Sequence, residues 1–303
     1  MMQIILGIVK QILFLGGMRI SDFSKKERSD LLTAFEKLSS QDVVLLESLV
    51  KLVKKYPGRL IIDDTTNPKY GLKQWSRKLK ILRTSGYEQG YKIVLFLWEW
   101  NGGRIPLGFA LWHRETQSLN ELALKGIGCL RNQYKLKPEI VLADGAYGVD
   151  KLFKRITDYG WPCVMRFRRN RKLSGYGIRQ HIPRGYGESE GLLENGVKLK
   201  VIRRKDRFYA SNRLLWNVKK VLLAYRRRWK VEEVFRGLKT GIGLNGCQQH
   251  SIKAQAIYLI VCMLLFASVE LDSTVSIFNI KSKAILGFIQ PQQLLSEKLF
   301  NLF

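Results

Sequence analysis

Residues 222–239, LLAYRRRWKVEEVFRGLK, constrain the chain more than any other stretch. They contain no Pro and a single Gly, Gly237, so the spacing predicts a helix. At about 100° per residue, Tyr225, Arg228, Glu232 and Lys239 fall within an arc of roughly 60°. Val231, Val234, Phe235 and Leu238 make a separate apolar face, while Arg226, Lys230 and Glu233 turn toward solvent. Two readings of the polar stripe are open. It is a charged surface laced by Arg228–Glu232 and Glu232–Arg236 pairs, or it is a carboxylate ligand for a divalent cation beside cations that hold phosphate.

Charge favours a phosphate-bearing partner. Lys and Arg number 52 against 25 Asp and Glu, a formal charge of +27, and the pI is near 10.1. An excess of that size attracts a polyanion, most simply nucleic acid. With 303 residues and 46% hydrophobic content the chain can bury a substantial core. Cys129, Cys163, Cys247 and Cys262 form no C-x-x-C pair and the three histidines lie far apart, which argues against zinc or disulfides and fits a reducing cytoplasm. The apolar segment 1–18 is interrupted by Lys10 and Gln11, and the run 256–269 is short for a bilayer, so no membrane partner is expected.

In chain order, Ser24 caps an expected helix over 25–38, and Ser40 another over 41–55, ended by Pro57-Gly58. Residues 59–66, RLIIDDTT, form a short apolar run that closes on acids, as in a buried strand. Residues 67–80 read as a basic loop within reach of phosphates. Residues 91–100 and 105–114 read as a hairpin around Asn101-Gly102-Gly103. A helix follows from Ser118 to about Tyr134. A strand over 139–143 then delivers Asp144 into the turn VLADGAYG, where Gly145 and Gly148 permit a sharp bend into a helix near Val149. A helix cap is the plainer role for Asp144 alone. After a strand over 162–168 the chain is Gly-rich and basic to about Asn212, with β-like runs at 197–202 and 208–210. Arg166, Arg168, Arg169, Arg171 and Lys172, with Arg203, Arg204, Lys205 and Arg207, suit a surface that tracks phosphates. Residues 251–269 make a closing helix.

The spacing Tyr225-x(2)-Arg228-x(3)-Glu232-x(6)-Lys239 resembles the Y-R-E-K signature of bacterial insertion-sequence DDE transposases of the IS-four type. The resemblance covers about residues 59–269. It implies an α/β fold with a ribonuclease H-like mixed sheet flanked by helices and a β-rich insertion, about 169–215, between the second and third acids. A short helical segment, 1–56, then precedes a catalytic domain over 57–269, and 270–303 is a C-terminal segment. Relatives carry a longer helical DNA-binding region ahead of the first strand, so the chain reads as a shortened copy. The implied catalytic and metal-binding acids are Asp64, just before the threonine, with Asp144 and Glu232. Asp63 stays open as the alternative to Asp64, because strand alternation turns it to the opposite face. The implied cofactor is a pair of Mg²⁺ (or Mn²⁺) ions roughly 3.5–4 Å apart, serving in-line displacement at phosphorus. Tyr225, Arg228 and Lys239 are implied DNA contacts, Trp229 and more weakly Trp216 could stack a base, and Arg168 and Arg169 lie on the basic surface. The implied partner is double-stranded DNA, transposon ends and target, bound by a dimer at the nucleoid. The expected activity is metal-dependent cleavage at the ends of an insertion sequence and strand transfer. The alternatives are a nuclease of the same fold that cuts without joining, and a DNA-binding descendant that needs no metal.

Overall fold

The computed structural model describes residues 43–69, 76–80, 86–183 and 185–271, with isolated positions at 25, 26, 29, 277 and 278. The apolar segment 1–18 and most of the stretches 25–38 and 270–303 lie outside the described residues. The architecture is a large mixed sheet with helices on both faces. Its strands are β1 (Val43–Leu45), β2 (Arg59–Pro68), β3 (Arg77–Lys80), β4 (Tyr87–Trp100), β5 (Gly103–Trp112), β6 (Ile140–Ala143), β7 (Cys163–Phe167), β10 (Tyr186–Leu192), β11 (Lys198–Arg204) and β12 (Arg207–Ser211); β8 (Lys172–Leu173) and β9 (Tyr176–Gly177) form a separate two-stranded ribbon. The order across the sheet is β1-β5-β4-β2-β6-β7-β12-β11-β10, with β3 also on β4. β2, β6 and β7 run parallel to their neighbours in that trio, and the other pairings are antiparallel.

The apolar runs became central strands because both of their faces are covered. Leu60, Ile61 and Ile62 of β2 and Val141, Leu142 and Ala143 of β6 are fully buried. Helices α1 (Glu47–Val53), α2 (Leu119–Asn132), α3 (Asp150–Asp158), α4 (Ile178–His181), α5 (Val218–Arg226), α6 (Lys230–Arg236) and α7 (Ile252–Leu271) complete the described residues. Ser118 caps α2 by accepting from the Glu121 amide at 3.3 Å, as its position before the helix predicts. Gly126 on α2 lies so close to the Phe96 ring of β4 that a Cβ would fall within 1.9 Å of it.

Three expectations need correction. The helix expected over 41–55 is instead β1 followed by the shorter α1. Val43 and Val44 are β-branched and find an open edge: β1 pairs with β5, at the point where Gly108 leaves no Cβ in the way of the Val44 carbonyl. Residues 67–80 are not one loop, since β2 continues to Pro68 and β3 adds Arg77–Lys80 to the edge of β4. The expected single helix over 222–239 is α5, a 3₁₀ turn at Arg227–Trp229, α6, and a π-helical segment at Gly237–Ile242. The β-rich segment after β7 does not stand apart from the sheet. β12 pairs directly with β7, so β10–β12 extend it.

α7 is long and apolar enough to cross a membrane by length and composition alone. It is buried in the protein almost throughout from Ala254 to Val269, and is a core helix. Tyr258 within it donates to the Gly243 carbonyl at 2.6 Å, and Gln255 accepts from Tyr91 of β4 at 2.9 Å. These bonds join α7 to the π segment and to the sheet.

Candidate active site

The parallel strands β2 and β6 carry their acids to the same end of the sheet, because both run in one direction with Ile62 opposite Ala143. Asp63 and Asp64 follow Ile62, and Asp144 follows Ala143. Alternation along β2 sends the two neighbouring aspartates to opposite faces. Their partners differ accordingly. Asp63 Oδ2 accepts from Arg228 Nη1, on the face covered by α5 and α6. Asp64 Oδ2 accepts from Lys92 Nζ at 2.7 Å, and its Oδ1 from the buried Tyr147 hydroxyl at 3.0 Å. Lys92 in turn lies 5.8 Å from the Trp112 ring centroid.

Arg228 is the hub of the Asp63 face. Its Nη1 also donates to Glu232 Oε1 at 3.4 Å, one helical turn away, so one guanidinium nitrogen touches both carboxylates. Tyr225, one turn earlier, donates its hydroxyl to Asp144 Oδ1 at 3.3 Å. The Arg228 guanidinium lies 5.7 Å from the Tyr225 ring centroid, and that ring packs edge-on against Tyr209 of β12. Thus Tyr225, Arg228 and Glu232, predicted to share a stripe, meet Asp63 and Asp144. Asp64, the first acid implied by the resemblance, lies with Lys92 and Tyr147 instead.

The electrostatics follow from burial. Desolvation pushes the Asp63 carboxyl up to about 7; Arg228 pulls against that rise, while Asp64 and Asp144 add to it. Burial opposes the charge on Arg228, yet Tyr225, Asp63, Asp144 and Glu232 together hold its pKa above the usual value. Burial also raises the Tyr147 hydroxyl, helped by Asp64 and Asp63, so it stays protonated and donates. Arg228 Nε is buried and has no hydrogen-bond partner among the described residues.

The carboxylates suit a hard divalent cation in kind, being oxygen donors. Among the described residues, no three His, Cys, Asp or Glu side chains are gathered closely enough to hold a metal as they stand. Arg228 stands between Asp63 and Glu232, and its charge meets the need that a cation would meet.

Lys239 lies in the π segment, where the added residue per turn changes its direction from the simple wheel. Its ammonium donates to the Thr66 carbonyl of β2 at 2.9 Å, and burial lowers its pKa. Trp229 is 57% exposed. Trp216 instead carries Lys220 over its ring at 4.6 Å. Arg168 donates Nε to the Gly145 carbonyl at 2.9 Å, which places it beside Asp144; Arg169 is exposed next to it. Glu233 corrects the expectation of a solvent-facing residue. It bonds Arg104 of β5 and Lys230, and although burial opposes its charge those bonds hold its carboxyl below the usual range. Sequence reasoning missed Tyr147 and Lys92. The position of Tyr147 in the Asp144 turn was the one local signal for it.

The transposase DDE domain family matches this chain over residues 56–266, a span that holds β2, β6, α5 and α6 with all the acids above. The chain is also similar in fold to the piggyBac transposase seen by cryo-EM in a synaptic complex with hairpin DNA. That likeness has a TM-score of 0.55 at 12% identity and covers 98% of this chain and 69% of that one. No curated protein matches it by sequence. The family match spans more than half of the chain, and the protein therefore belongs to the transposase DDE domain family.

Proposed function

We propose that the protein is an insertion-sequence transposase of the IS-four type, built on a ribonuclease H-like sheet, in which Asp63, Asp144 and Glu232 are the acids of the reaction centre. The observation that carries this reading is the bridge from Arg228 to both Asp63 and Glu232, with Tyr225 on Asp144. Asp63 replaces Asp64 in the triad because it lies on the face of the signature helix, whereas Asp64 is satisfied by Lys92 and Tyr147.

These three carboxylates would hold the divalent cations, Mg²⁺ or Mn²⁺. Held there, such ions would supply activation of the attacking oxygen and stabilisation of the leaving one at phosphorus. The chain's own residues do the rest. Arg228 releases Asp63 and Glu232 and turns its guanidinium to the scissile phosphate, using the unpartnered Nε. Tyr225 orients Asp144 through its hydroxyl. Lys239, held at the Thr66 carbonyl of β2, offers an ammonium to the phosphate backbone. Trp229 supplies an exposed ring for an unpaired base at the DNA end. The DNA ends of the element are cut and then joined to a target duplex by a dimer bound across them.

The test is a supercoiled plasmid carrying the element's two ends, incubated with the full chain and Mg²⁺. Wild-type protein is expected to nick and join it, and Glu232→Gln to lose several orders of magnitude in rate. A second reading has its own support: the Arg228 bridge, with no three acids gathered among the described residues, also fits a DNA-binding descendant that does not cut. Binding without any Mg²⁺- or Mn²⁺-dependent product from the wild-type protein would select that reading.

A further inference from the structure

Lys69 follows directly on Pro68, the last residue of β2, and is only 8% exposed. Burial works against its charge and lowers its pKa, and no carboxylate pairs with it among the described residues. Lys92 on β4, by contrast, has Asp64. Backbone holds the Lys69 ammonium: it donates to the Asn245 carbonyl at 2.8 Å and to the Cys247 carbonyl at 2.7 Å. Its own amide donates to the Gln89 carbonyl of β4 at 2.8 Å, so the side chain starts from a fixed point. Burying an ammonium without a counter-charge is costly, and an apolar side chain would fill the same space more readily. Packing alone does not account for a lysine here.

The stretch it holds leads out of the π segment that carries Lys239. Lys239 donates back to the carbonyl of Thr66, on the same strand that Lys69 follows. β2 and the π segment thus each lend a lysine to the other's side, and the two ties run in opposite directions. The segment's own bonds end at Gly243 and Leu244, whose amides both donate to the Leu238 carbonyl, at 2.9 and 2.8 Å. Beyond them, Gln255 Nε2 donates to the Gln249 carbonyl at 2.6 Å and to the Cys247 carbonyl at 3.3 Å, which ties the stretch to α7. Lys69 ties it to β2, the strand that bears Asp63 and Thr66. A π turn departs from the regular helix by an added residue, so where its side chains point depends on how its far end is pinned. We propose that Lys69 is a positioning residue: by fastening the stretch after the π segment to β2, it fixes where the Lys239 ammonium stands. Resting on the reading of Lys239 as a phosphate contact, this makes Lys69 necessary for that contact although Lys69 is itself buried.

The test reads Lys239 first without DNA or metal. The native full chain is acetylated with trace acetic anhydride, and the labelling rate of each lysine is read by peptide mass spectrometry. Lys69→Met keeps the stem and removes the ammonium, while Gln255 still ties the stretch to α7. In that variant Lys239 is expected to label severalfold faster, and Lys92 of β4 at the wild-type rate. An unchanged rate at Lys239 overturns the proposal, as does an equal rise at Lys92, which marks a general loosening. Where circular dichroism shows Lys69→Met to be unfolded, Lys69→Gln, which keeps a donor for one carbonyl, is read in the same way. The second arm is the salt dependence of binding to duplex DNA of the element's end. Lys239→Ala and Lys69→Met are each expected to flatten the slope of log affinity against log salt by about 0.9, one phosphate contact, and the double variant by no more. Additive flattening overturns the proposal, and so does a normal slope for Lys69→Met where Lys239→Ala flattens it. A normal slope for Lys239→Ala instead overturns the phosphate reading of Lys239, and the labelling rates then decide the positioning role by themselves.

Discussion

Asp63 is the residue whose environment departs furthest from what its neighbours in sequence indicate. Its carboxyl rises from 3.8 to about 7 mainly through burial, so the folded state holds a proton that the unfolded chain releases. The folded protein therefore binds more protons between those values, and stability declines as pH rises from about 4 to about 7, then levels. A rise of about three units corresponds to a few kcal/mol. Metal-free protein should lose that much unfolding free energy across the window in denaturant titrations, and Asp63→Asn should flatten the decline. A flat wild-type profile would contradict the burial argument. That the apolar run meets acids was legible in RLIIDDTT, and so was the divergence of the two aspartates; that the strand runs on past them to Pro68 was not. Which one faces the signature helix was not, because Arg228 lies 165 residues further along the chain.

At the scale of elements, local signals carried β2, the β4–β5 hairpin, α2 and β6, whose apolar runs, turn residues and caps lie within the element itself. They failed where a distant partner decides. β1 exists because β5 has a free edge, and the β10–β12 meander joins the main sheet because β7 does. Glu233 read as solvent-facing on the wheel because Arg104 lies on another element. Glu233→Gln should therefore lower stability by roughly 0.5–1 kcal/mol, as for a partly exposed ion pair, seen as a small drop in Tm. No change would mean that the pair contributes nothing. Gly126→Ala should cost about 1–3 kcal/mol through overpacking against Phe96, measurable by urea unfolding; a neutral result would mean that α2 shifts freely.

Across the whole molecule, charge and topology act together. The net charge of +27 attracts DNA from any direction, while the sheet brings Asp63 and Asp144 to one end and the signature helix lays Arg228 and Glu232 over them. Overall DNA affinity should fall by orders of magnitude between low and moderate salt, as counterion release requires. Affinity that hardly responds to salt in a filter-binding series would remove the electrostatic account. The mixed sheet flanked by helices was readable from apolar runs and turn residues, and the shared stripe of Tyr225, Arg228 and Glu232 from spacing. The Arg228–Asp63 and Tyr147–Asp64 bonds were not, since each joins segments far apart in the chain.

The most direct measurement compares Mg²⁺-dependent cleavage of the element's ends by Asp63→Asn and Asp64→Asn, neighbours that lose the same charge on opposite faces of one strand. If Asp63 belongs to the reaction centre, its variant loses several orders of magnitude in rate while still binding DNA. Asp64→Asn, which weakens only the tie to Lys92 and Tyr147, then keeps most of its cleavage. Abolished cleavage by Asp64→Asn with near-normal cleavage by Asp63→Asn would contradict the assignment.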